Sequence, residues 1–148
     1  MTVTDKHVAV LRAQLSGDVD EHRRLAKQLS PEEANTEYAA LVAGAFIEAV
    51  ERRFIKAGNA AEDAEVINFV ARVRGLDDEM PDIIDPRIAE SLIFHLLEKG
   101  TVVEADPDKK FGHQIILLAN LVGEAQFSSS ELDAFLSSAQ SIANELLE

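Results

Sequence analysis

The groups in this chain that could do chemistry are four histidines and 27 carboxylates. There is no cysteine, which removes thiolate nucleophiles, iron–sulfur ligation and disulfides from consideration. Imidazole is the commonest general base and metal ligand, so the histidines come first. None of His7, His22, His95 and His113 belongs to a His-x-x-x-His pair. The residues three places before them are Thr4, Val19, Leu92 and Lys110. That spacing excludes the paired Glu-x-x-His elements of di-iron helical bundles, and no His-Glu-x-x-His zinc motif occurs. Neither a metal nor a cofactor is expected.

Two histidines stay as pocket candidates. His22 falls within the apolar stripe Val19, Ala26, Leu29, four residues after Asp18. An imidazole donating to that carboxylate would be structural in a core and an oriented base in a cleft. His113 lies near Lys109 and Lys110, where a local hydrogen bond explains it as well as a ligand role would. His95 shares a polar strip with Arg87, Ser91 and Glu98 and reads as a surface residue. No Gly-x-Ser-x-Gly elbow, Ser-x-x-Lys pair or glycine-rich nucleotide loop is present, so no residue is assigned as catalytic.

The carboxylates concentrate in "RGLDDEMPDIIDPRIAESL", residues 74 to 92, where five acids lie between Asp77 and Asp85 with no base among them. An EF-hand loop needs Gly at its sixth position and Glu at its twelfth. Counting from Asp77, these are Asp82 and Ile88, so the pattern fails. No cation is needed to hold the acids together: carboxylates about 7 Å apart in water repel by only about 0.6 kcal/mol, less with salt. The segment reads as a connector first. Asp77, Asp78, Glu79 and Asp82 are its candidate partner-binding residues. Ile83 and Ile84 should tether it to the core.

The elements that carry these groups are helical. Asp18, Asp85-Pro86 and Asp106-Pro107 are helix-start signals. Ser30-Pro31 with Glu33 forms a capping box, and Ser130 with Asp133 another. Gly58, Gly75 and Gly100 follow apolar-periodic segments, where a left-handed residue ends a helix at low cost. The spacing predicts seven helices, near 4–16, 18–29, 31–57, 60–74, 86–99, 107–124 and 130–147. "RAQLSGDVDEHRRLAKQL" has the helix–Gly-Asp–helix form of a helical hairpin. No stretch alternates with period two between turn signals, so strands are not expected. "YAALVAGAFIEAVERRF" is apolar round most of its circumference and should be surrounded by other helices. Its one internal acid, Glu48, precedes Arg52 by four residues, the favourable order for an ion pair. The fold class is therefore all-α: one domain over 1–148, a bundle around the central helix 31–57.

Composition bounds the function. Residues 1–74 carry 12 acids and 10 bases, whereas 75–148 carry 15 acids and 4 bases, local balances of −2 and −11. Such an excess repels nucleic acid and anionic membranes, and with no Trp and one Tyr there is little to stack on bases. The basic clusters Arg23-Arg24-Lys27, Arg52-Arg53-Lys56 and Arg72/Arg74 lie late in their helices, where they complement the helix dipoles. The longest uncharged apolar run, Tyr38 to Ile47, is half of what a membrane span requires. "MTVTDKHVAV" lacks a signal-peptide pattern, which makes the cytoplasm the expected location. The leading expectation is a non-enzymatic, acidic interaction module, adaptor or regulatory, that meets a basic protein surface or a second copy of itself. The alternative is a helical small-molecule-binding protein or enzyme, its inter-helix pocket involving His22 or His113.

Overall fold

The structure, a computed structural model, describes residues 2–31 and 36–148. Within them the fold is all-α, with eight helices and one minimal hairpin. The helices are α1 (Asp5–Leu15), α2 (Val19–Ala26), α3 (Tyr38–Phe54), α4 (Asp63–Arg74), α5 (Met80–Ile83), α6 (Pro86–Leu96), α7 (Pro107–Ala125) and α8 (Ser129–Leu146). They fall into two compact units, residues 1–48 with 122–148 and residues 49–121. The boundaries lie inside α3 and α7. Glu33, expected to close the Ser30 capping box, lies within 32–35, outside the described residues.

In the first unit, Gly17 at φ 77° turns α1 into α2, and the Asp18 side chain accepts from Glu21 N–H at 3.1 Å. This is the expected helical hairpin. The chain's start lies along α8: Val3 N–H donates to Asn144 Oδ1 at 2.8 Å, and Gln140 Nε2 donates to Val3 O at 2.9 Å. Leu11, Val42, Phe46, Phe135 and Leu136 are buried in this unit. Gly44 lets α3 approach α8 closely, because a Cβ there would lie 2.6 Å from Ala139 O and 3.0 Å from Ala143 N. The cap of α8 is Ser128 rather than Ser130, with Glu131 rather than Asp133 closing the box. Glu reaches back to the cap N–H more easily than the shorter Asp, and the earlier start seats Phe127 against Phe135, ring centroids 5.3 Å apart.

In the second unit, Phe54 and Phe69 meet edge to face at 5.8 Å, among buried Val50, Val70, Ile93 and Leu117. Here strands do form, against expectation. Ile55–Lys56 pairs antiparallel with Asn59–Ala60, so α3 ends at Phe54 and α4 begins only at Asp63. Ala57 and Gly58 have φ 53° and 78°, the left-handed pair that a two-residue hairpin turn requires. Gly58 is therefore a turn residue and not a helix stop. Gly75 has φ −88°, and Gly100 is not left-handed either. The left-handed residue after α6 is Glu98, φ 59°. Lys99 N–H bonds Phe94 O and Glu98 N–H bonds His95 O, the paired bonds of a Schellman end. Ser91, expected on the surface, is buried: its Oγ donates to Ile88 O at 2.9 Å and accepts from Val103 N–H at 3.1 Å. His95 is exposed, as expected. Glu48 on α3 is half-buried.

Candidate functional site

His22 is half-buried, and its Nδ1 lies 3.1 Å from Val10 O. The Asp18 carboxylate is used by the helix cap, so the imidazole ties α2 to α1 instead of forming the expected His–Asp pair.

His7 is the histidine that spacing did not single out. It is wholly buried at the third position of α1. Its Nδ1 lies 2.9 Å from both the backbone N and the hydroxyl of Thr4, and its Nε2 lies 3.5 Å from Glu37 Oε2. Hydroxyl, imidazole and carboxylate in that order resemble the elements of a nucleophilic triad. However, the single lone pair of Nδ1 already receives a backbone N–H, which makes it a cap acceptor rather than a base waiting for the hydroxyl proton. The signal was Thr4-x-x-His7, cap and third helical position, with His in the place that Glu or Gln usually takes. On the same side of this unit, the Tyr38 hydroxyl donates to Gln14 Oε1 at 2.8 Å, and burial holds the phenol well above its usual range.

His113 leads to the acidic segment. It is buried on α7, with Nδ1 2.7 Å from Lys109 O and Nε2 accepting from Asp85 N–H at 3.0 Å. An N–H donor at Nε2 fixes the neutral tautomer with its proton on Nδ1, where the carbonyl takes it. Both ring nitrogens are thereby engaged by backbone. His113 supports the end of the run of carboxylates, a link between two sequence candidates that only the fold creates.

The remaining supports of that run are local. Asp77 Oδ1 accepts from Glu79 N–H and Met80 N–H, each at 2.9 Å, and starts the single turn of α5. Ile84 is fully buried, its N–H bonds Met80 O, and its carbonyl accepts from Arg74 Nε at 3.1 Å. Asp85 Oδ1 then accepts from Arg87 N–H at 2.8 Å and caps α6. On α6, partial burial pushes the Glu90 carboxyl above its usual range, and the charge of Arg74 opposes that shift. Asp77 and Asp85 therefore work on the segment's own backbone, while Asp78, Glu79 and Asp82 are exposed. Ile83 does not share the tether with Ile84: it is 46% exposed, and Leu76 is 61% exposed. The two isoleucines are adjacent, so one pointing inward turns the other outward.

Three open depressions, of about 390, 300 and 340 Å³, accompany these features. Glu104 and Lys110 line the first, Leu15, Val122, Phe127 and Leu132 the second, and Arg53, Lys56, Glu62 and Glu65 the third. No histidine lines any of them. Among the described residues, no group of three His, Asp or Glu is placed to hold a metal ion, and no helix is long and apolar enough to cross a membrane. Comparison with protein families, curated proteins and solved structures finds no match to this chain. Its own residues carry the functional argument.

Proposed function

We propose that the chain is a non-enzymatic interaction module that presents the Leu76–Ile83 face of its second unit to a basic protein partner. One observation carries this reading. Four carboxylates with no base among them sit on a segment whose flanks are joined by Arg74 Nε donating to Ile84 O and whose far end is held by His113 at Asp85 N–H, and the same segment exposes Leu76 and Ile83. A connector needs neither property. Solvated acids tolerate a mobile loop, and large apolar side chains on a connector gain nothing from water. A segment held in one conformation loses little entropy on binding, which favours recognition over mere solubility. Against the pocket alternative, His22 and His113 direct ring nitrogens at backbone groups.

The test removes charge without removing the anchors. Asp78→Asn, Glu79→Gln and Asp82→Asn together leave Asp77 and Asp85 in place. A control variant removes three exposed acids elsewhere: Asp20→Asn, Glu145→Gln and Glu148→Gln. Binding of a fluorescent lysine-rich peptide is followed by anisotropy at low and moderate salt. The first variant is expected to bind several-fold more weakly than the control. Equal binding by the two variants would refute the assignment of this face.

A further inference from the structure

Resting on that reading, we infer that the partner element is a basic amphipathic segment, with apolar side chains that cover Leu76 and Ile83 and lysines or arginines that meet Asp78, Glu79 and Asp82. Among the described residues, five large apolar side chains are exposed: Val19, Ile67, Leu76, Ile83 and Leu146. Leu76 and Ile83 bracket the base-free acidic stretch, and Ile67 lies on α4, the helix that leads into it. Exposed apolar groups thus flank four carboxylates over one short stretch, and a complementary surface must combine apolar and basic groups.

The same pattern excludes simpler occupants. A purely polycationic chain would leave Leu76 and Ile83 in water, where they are already exposed, and gain nothing from them. An uncharged apolar groove-binder would have to desolvate Asp78, Glu79 and Asp82 without pairing them. Anionic nucleic acid or lipid would be repelled. Arg74, the base that precedes the run, donates from Nε to Ile84 O and lies near Glu90.

The experiment uses the full chain and three synthetic probes of equal length, about 18 residues each. The first is a lysine–leucine peptide with leucines at helical three-four spacing, the second has the same composition scrambled, and the third is all lysine. Leu76→Ser with Ile83→Ser is expected to weaken the amphipathic peptide about tenfold while changing the all-lysine peptide by less than about twofold. Both positions are exposed, and circular dichroism verifies that the variant keeps its helices. If the scrambled and all-lysine peptides bind as tightly as the amphipathic one, and the Leu76/Ile83 variant binds all three like the parent, the inference is overturned. In that case, continued weakening by the Asp78/Glu79/Asp82 variant would leave the acidic-face reading standing. If that variant too binds like the parent, both fall.

Discussion

His113 offers the sharpest test of how the acidic face is held. Its ring accepts Asp85 N–H at 3.0 Å and meets Lys109 O at 2.7 Å. His113→Phe fills the site with a slightly larger ring and removes both bonds. The Asp85 N–H is half-buried, so losing its acceptor costs about 1 kcal/mol. The Lys109 carbonyl, inside α7, keeps its helical donor and adds little. The expected loss is therefore about 1–2 kcal/mol, concentrated at the junction of α5 and α6. His113→Ala adds a cavity and should cost about 2–4 kcal/mol. His113→Gln, which retains an acceptor, should cost less than Phe. Amide hydrogen exchange reads the local part: the Asp85 amide should exchange about tenfold faster in the Phe variant, a larger change than at Ala89 one turn on. Unchanged Asp85 exchange in His113→Phe would show that the imidazole is not what holds the segment. The support described for the acidic segment would then be mistaken.

Three further outcomes are expected. Gly44→Val, measured by denaturant unfolding, should lose about 3 kcal/mol or more, because its Cβ would fall 2.6 Å from a backbone oxygen that cannot move without shifting α8. Ala57→Asn should gain about 0.5 kcal/mol, since asparagine tolerates the φ of 53° that strains alanine; a loss of stability would contradict the hairpin. Glu90 has a folded-state pKa above its unfolded one, so stability is lost as pH rises from the unfolded pKa through the folded one, and the penalty disappears only as pH falls below the folded pKa toward the unfolded one. Glu90→Gln should accordingly flatten that part of the stability–pH profile and leave neutral-pH stability equal or slightly higher.

Much of the fold was legible because helices announce themselves locally. Asp18, Asp85-Pro86 and Asp106-Pro107 mark true starts, since a cap is a contact between residues two or three apart. The failures have the same cause in reverse. Glycines at 75 and 100 suggested left-handed stops, yet Glu98 takes that conformation because the buried Leu97 and the bonds of Lys99 and Glu98 hold the chain there. Ala57-Gly58 lacks the usual hairpin residues, and Ile55 and Ala60 pair around it nonetheless.

The candidate site divides the same way. Charge is additive along a chain, so the order of residues alone located the acidic run and its lack of bases. Which of Ile83 and Ile84 faces water and where the ring of His113 points depend on contacts 10 to 28 residues apart. No local rule encodes those. The sequence by itself determined that the molecule would be helical and negatively charged over its second half, and tertiary packing decided which of those charges and apolar side chains face outward together.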